Sequence, residues 1–309
     1  MSADANLNAL WCRVIAEELV RGGTAHAVLC PGSRNSPLLF ALAKAFGDQA
    51  ISHIDERSAA FIALGMVRAS GKPAVVCVTS GTAVANCLPA VCEAHAAGLP
   101  LIVIAADRPW ELQGRSAPQT MAQPGLFASF AEELALGEPL ADETMLLAVR
   151  GRVSRLVQRR APGFINCPLR EPLAPVASGW SAPPLSTLAL HGREQRPFTV
   201  VGPAAGWPPP AHLDSYGEGL RGLDFMRNGL RGLILANVGS NGRLVAELAG
   251  TCGFPVLADA ASGLRGIDCP HLISSHDALL VGTLADAAPE LILQIGQAPL
   301  TRTVQEWLA

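Results

Sequence analysis

The sequence predicts an α/β protein built as two parallel-sheet, three-layer domains. Three observations carry that expectation. First, short apolar runs recur about every 25 residues in the first half, with helically spaced segments between them; this alternation builds parallel sheets with crossover helices. Second, aromatic residues are only 5% of the chain, while alanine, valine and leucine abound, which suits helices packed on strands buried on both faces. Third, half of the 309 residues are apolar and 16% are charged, a composition that buries a core instead of staying disordered.

Taken in order, the expected strands of the first domain are "AHAVLC" (25–30), "AISHI" (50–54), "AVVCVT" (74–79) and "LIVIAA" (101–106). The helical segments between them are "SPLLFALAKAF", "RSAAFIALGMVRAS" and "GTAVANCLPAVCEAHAAG". A helix is expected at 141–160, and "GFINCPLREPLAP" (163–175) reads as a last strand. The chain from 172 to 198 is rich in proline and serine, as interdomain linkers are. The expected division is therefore a first domain over 1–178, a linker over 179–197, and a smaller Rossmann-like domain over 198–309. That second domain should hold strands at "FTVVG" (198–202), "GLILAN" (232–237), "PVLAD" (255–259) and "ELILQIG" (290–296). The Gly- and Pro-rich segment 203–232 is too polar for core and reads as an excursion from it.

Several function classes drop out. The formal net charge is -3 and no basic run occurs, so no nucleic-acid partner is expected. No run of ~18 apolar residues is present, so no membrane span is expected. The first twenty residues carry Glu17 and Glu18 at helical spacing and lack the basic region of a signal peptide. The eight cysteines form no CxxC pair and sit mostly in apolar runs; they read as small buried hydrophobes in a reducing cytoplasm. The histidines lack metal-ligand spacing, so no metal site is assigned. "GMVRASGKP" has P-loop glycines one residue too far apart, and "NVGSNGR" (237–243) lacks a full GxGxxG.

In parallel sheets, ligands bind beyond the carboxyl ends of the strands. The loops to watch are therefore "PGSRNSP" (31–37), "DERS" (55–58), "SGT" (80–82) and "DRPWELQGRSAPQ" (107–119). In the first, Asn35 or Ser36 can cap the following helix, with Pro37 in its first turn. Arg34 has no such explanation, because a cation at a helix N-terminus opposes the macrodipole unless an anion joins it. Asp107 and Arg108 read alone as a surface ion pair, and Ser80 and Gly81 as an ordinary capped turn. Two arginines at one sheet edge, Arg34 and Arg108, suggest a ligand with several carboxylates.

The strings "CPGSRNSPLLFALA", "HIDERSAAFIALG", "TSGTAVAN", "LIVIAADRP", "QPGLF" and "INCPLREPL" together resemble one family. It is the thiamine-diphosphate-dependent synthase of 2-succinyl-5-enolpyruvyl-6-hydroxy-3-cyclohexene-1-carboxylate in menaquinone biosynthesis, called MenD. The resemblance covers 6–176 in order and continues more weakly to "ELILQIGQAPLTRTVQEWL" (290–308). It implies a pyrimidine-binding domain followed by the family's central domain. It also implies a transferase that decarboxylates 2-oxoglutarate and adds the resulting succinyl-semialdehyde carbanion to isochorismate. Glu56 falls on the cofactor-activating glutamate, which hydrogen-bonds N1′ of the thiamine pyrimidine and works best shielded from water. Ser80 and Gly81 fall beside the cofactor. Ser33, Arg34, Arg108 and Gln119 fall on substrate contacts.

The sequence also departs from the family. Pro118 stands where many relatives have an asparagine, which removes a side-chain donor. The family's C-terminal domain, which holds the diphosphate through Mg²⁺ with a GDG…N motif, has no counterpart in the text. The expectation is a fragment, an engineered truncation or a degenerate gene product, inactive alone. Its cofactors in the full enzyme would be thiamine diphosphate and Mg²⁺, and a homodimer or homotetramer is expected. The rival readings are an acetolactate-type or other 2-oxoacid decarboxylase, and a non-catalytic interaction or regulatory protein.

Overall fold

A computed structural model describes residues 2–174, 184–200, 229–237, 240–282, 284–296, 299 and 301–308. The chain divides into two units, residues 1–202 and 203–309. The expected excursion at 203–232 lies almost wholly outside the described residues, as does part of the expected linker.

The first unit runs α1 (Ser2–Arg21), β1 (His26–Leu29), α2 (Ser36–Phe46), β2 (Ala50–Ser52), α3 (Glu56–Ser70) and β3 (Ala74–Val78). It continues with α4 (Thr82–Ala85), α5 (Leu88–Ala96), β4 (Leu101–Asp107), β5 (Glu132–Ala135), α6 (Glu143–Gln158), β6 (Gly163–Pro168) and α7 (Thr187–His191). Its six strands are all parallel, in the order β2-β1-β3-β4-β6-β5. Strand residues alternate between two cores, as a period of two requires. Val75, Cys77, Ile102 and Ile104 join Trp11, Ile15, Leu42 and Val153 of α1, α2 and α6. Val76, Val78, Leu101 and Val103 join Ala59, Ala63, Ala90 and Ala94 of α3 and α5.

The second unit has β7 (Gly232–Ala236), α8 (Gly242–Cys252), β8 (Val256–Ala258), β9 (Leu272–Ile273), α9 (His276–Val281), β10 (Leu291–Ile295) and α10 (Arg302–Leu308). Its four described strands are parallel, in the order β10-β7-β8-β9.

Both sheets meet the expected α/β class, with three differences in detail. The strand expected at 198–202 is not one over its described part, Phe198–Val200. Side chains of the first unit take its backbone instead. Phe198 N donates to Glu18 Oε2 (3.0 Å), Thr199 N to Ser154 Oγ (3.1 Å), and Ser154 Oγ donates to Thr199 O (2.9 Å). β5 and β9 escaped the sequence reading. β5 is an edge strand whose "EELA" alternates only over four residues, and β9 is two residues long. Within the expected linker, α7 forms, capped by Ser186, and its buried Ala189 packs into the first core.

Candidate functional site

Every residue singled out from the loops lies just beyond the carboxyl end of a parallel strand of the first sheet. Arg34 follows β1, Glu56 follows β2, Ser80 and Gly81 follow β3, and Arg108 follows β4.

The turn after β1 rests against the turn after β3. A Cβ added at Gly32 would lie 2.6 Å from Thr79 Cβ, so only glycine permits the approach. Asn35 is the N-cap of α2 by position, but its side chain does not cap. Its amide is drawn into the sheet, donating to Cys30 O (2.9 Å) and lying 3.5 Å from Cys77 Sγ. Arg34 is 8% exposed. Nη1 donates to Leu169 O (2.9 Å), and Nη2 meets Glu171 Oε1 (2.6 Å). Its Nε is buried with no hydrogen-bond partner. A buried donor left unpaired costs about 1–3 kcal/mol, more on a charged group, so Arg34 holds one unfilled place for an acceptor. Ser33 is exposed beside it.

Arg108, Ser80, Gly81 and Gln119 form one bonded group. Arg108 Nη1 donates to Ser80 Oγ and to Gln119 O (3.1 Å). Gln119 Nε2 donates to Ser80 O (3.1 Å). Gly81 has φ +72°, and an added Cβ would sit 3.0 Å from both Gln119 Cγ and O. Thus Gly81, not a hydroxyl side chain, caps α4, and Ser80 is spent on the arginine group. Burial, then the positive charge of Arg34, pull Arg108 below its ordinary pKa. The Arg34 charge thus disfavours charge on Arg108, and an anion beside Arg108 would offset it.

Asp107 is 3% exposed and is no surface ion pair. Its carboxylate accepts from Arg108 N (2.7 Å), Gln113 Nε2 (3.2 Å) and Asn166 Nδ2 (2.9 Å).

Glu56 opens α3, directly after Asp55. Asp55 Oδ1 accepts from Ser58 N (2.7 Å), and hydrogen bonds from the Ser58 side chain and then its backbone hold the Asp55 pKa below the usual carboxylate value. So Asp55 caps the helix and Glu56 is left for other work. Its Oε2 accepts from Asn86 Nδ2 (3.1 Å). The carboxylate is half-buried, not sealed from water as its expected role favours. Burial, with Glu56 and Asp55 nearby, pushes the Cys30 thiol up to about 12. Burial pushes the Cys77 thiol to about 12 as well, so both thiols stay neutral; no disulfide joins any of the eight cysteines.

The sequence reading missed Asn86, Gln123, Asn166 and Glu171. One signal was present: Asn166 sits in "GFINCP", a polar residue inside a strand buried on both faces. Among the described residues, no group of three or more His, Cys, Asp or Glu is placed to hold a metal ion. No described helix is long and apolar enough to cross a membrane.

Residues 12–126 match the model of the thiamine pyrophosphate enzyme N-terminal TPP binding domain. Along its whole length the chain is 42% identical to a 2-succinyl-5-enolpyruvyl-6-hydroxy-3-cyclohexene-1-carboxylate synthase from Myxococcus xanthus, covering 53% of that protein. A synthase of the same name from Synechococcus elongatus is 39% identical over 98% of the chain and 52% of the relative. Another from Roseiflexus castenholzii is 36% identical over 98% and 53%. The chain spans about half the length of these curated relatives. Over its whole length the chain is therefore similar to synthases of that name, and over residues 12–126 to thiamine pyrophosphate enzymes.

Proposed function

We propose that the chain supplies the pyrimidine-side half of a thiamine-diphosphate-dependent synthase that acts on 2-oxoglutarate and isochorismate in menaquinone biosynthesis. The names of its relatives support the reaction, and one observation supports the substrate class. Arg34 is buried with an unpartnered Nε, within electrostatic reach of Arg108 at the same sheet edge. Such a pair suits the carboxylates of both substrates.

When bound, thiamine diphosphate supplies the nucleophile and the electron sink that decarboxylation needs. The residues of this chain fit its pyrimidine side. Glu56 offers a carboxyl at a helix start, steadied by Asn86, for a hydrogen bond to ring N1′. The Ser80–Gly81 turn keeps side chains short where a flat ring would approach. Arg34 holds a substrate carboxylate through its spare donor, Arg108 and Gln119 orient the acceptor, and Ser33 offers a hydroxyl at the rim. The chain covers 53% of its relative's length, and in this reading the Mg²⁺ and diphosphate contacts belong to the part of a full-length synthase that it does not span. A cytoplasmic homodimer or homotetramer fits this reading.

Glu56→Gln in the full-length synthase tests it. Turnover of 2-oxoglutarate with isochorismate should fall by about 10²–10⁴-fold with the fold intact by circular dichroism. Near-wild-type turnover would remove Glu56 from the chemistry. Turnover of pyruvate in preference to 2-oxoglutarate would favour an acetolactate-type enzyme instead.

A further inference from the structure

Three buried side chains link the Ser80–Gly81 turn to Arg108 through the interior of the domain. Gln123 is 0% exposed, Asp107 3% and Asn166 4%. Gly81 N donates to Gln123 Oε1 (2.7 Å), and Gln123 Nε2 donates to Ala106 O (3.1 Å) and Asn166 Oδ1 (2.7 Å). Asn166 Nδ2 then donates to Asp107 Oδ2 (2.9 Å), and Asp107 Oδ1 accepts from Arg108 N (2.7 Å). The Arg108 side chain returns to Ser80, next to Gly81. The bonds close a ring from Gly81 through the interior of the domain to Arg108 and back.

The ring can run in one direction only. A backbone N–H at Gly81 can only donate, so Gln123 must turn its oxygen there. The Ala106 carbonyl can only accept, so the Gln123 amide nitrogen faces it. That orientation leaves Asn166 to receive at Oδ1 and to donate to Asp107. No amide can flip without setting two donors or two acceptors face to face, at about 1–3 kcal/mol for each buried group left unpaired.

We infer that Gln123 and Asn166 are positioning residues for the substrate-binding Arg108: the ring fixes the spacing between the Ser80–Gly81 turn and the guanidinium. The inference rests on the reading of Arg34 and Arg108 as carboxylate contacts. Plain buried polar groups would need only to be satisfied. These are satisfied in a closed, directed series whose two ends are both candidate ligand contacts.

The test is a charge-conserving exchange read by NMR, titrating 2-oxoglutarate while following the Nε–Hε signals of Arg34 and Arg108 and the Gly81 amide. Asn166→Asp alone sets two carboxylates against each other, and Asp107→Asn alone sets two amide donors against each other. Each should weaken 2-oxoglutarate binding about tenfold and displace the Arg108 and Gly81 signals. The double variant Asp107→Asn/Asn166→Asp keeps every bond, with the middle one donated in the opposite sense. It should bind within about twofold of the wild type, a coupling that independent sites do not show. Singles that bind like the wild type, or a double as weak as the singles, would overturn the inference. If the singles fail to fold, the double decides alone: wild-type affinity supports the ring, and weak binding in a folded double overturns it. If 2-oxoglutarate moves neither arginine signal in the wild type, the substrate reading itself fails and takes the inference with it.

Discussion

Two arginines are buried in the first unit, and they differ in one respect that separates architecture from function. Arg150 is 0% exposed and every nitrogen is engaged. Nε donates to Ala189 O (2.9 Å), Nη1 to Glu18 Oε1 (2.7 Å), and Nη2 to Glu17 Oε2 (2.9 Å) and Leu190 O (2.8 Å). Glu18, also 0% exposed, passes its other oxygen to Phe198 N. The cluster is closed over by Gly192, where an added Cβ would stand 2.5 Å from Arg21 Nη1. It fastens α1, α6 and α7 to one another. Arg34 has comparable burial but keeps one nitrogen unpartnered, and its carboxylate partner Glu171 is 68% exposed by side chain. A filled guanidinium ties elements together; one with a spare donor and a solvent-facing counter-ion leaves room for an acceptor.

Four measurements test how these charged groups are used. The largest effect is expected at Arg150→Met, which leaves the Glu18 carboxylate buried without its main partner. Urea unfolding should show a loss of about 3–5 kcal/mol. A loss below ~1 kcal/mol would mean that the closed cluster holds little together. Arg34→Met should cost less, about 1–2 kcal/mol for its bond to the buried Leu169 carbonyl, yet raise the Kd for 2-oxoglutarate at least about tenfold. Equal stability losses at the two arginines, with binding unchanged, would erase the distinction.

Glu171→Gln removes an exposed ion-pair partner, so stability should change by under ~1 kcal/mol. Binding of 2-oxoglutarate should tighten, because a negative charge beside Arg34 is removed. Weaker binding in calorimetry would recast Glu171 as a support for Arg34. The smallest effect concerns the loop after Arg108. Arg170 hydrogen-bonds Glu111 in two places (2.6 and 2.9 Å) and pulls its pKa from 4.5 to about 2. A depressed folded pKa means stability present above about 4.5 and lost as pH falls toward 2. Both side chains are more than a third exposed, so water screens most of it. Carboxyl-carbon NMR should place the Glu111 midpoint near 2; a midpoint near 4.5 would show that the pair does not persist in solution.

Much of the fold was legible in the sequence because parallel strands buried on both faces must be near-continuous apolar runs. "AVVCVT" and "LIVIAA" could hardly be anything else, and they became β3 and β4. β5 was not legible, since an edge strand needs only one apolar side chain, here Leu134. "FTVVG" misled for the opposite reason: its residues suit a strand, but Glu18 and Ser154 reach its backbone first. In the site, Arg34 stood out because a cation at a helix start needs an explanation. Gln123 did not, because nothing within "AQPGLF" reveals that its amide faces Gly81, 42 positions earlier.

Local pattern was enough to read the layers, the parallel sense of the strands and the loops at their carboxyl ends. Those follow from local pattern, because apolar periodicity and loop residues are set by near neighbours. Only the tertiary structure decided which polar groups are spent and which are spare. Asp55 is spent on a cap, Ser80 on Arg108, and Arg150 on three elements, while Arg34 keeps one donor in hand. The hydrogen-bond needs of a buried group are met by partners more than a hundred positions away, as Arg34 is by Leu169, and no local pattern records them.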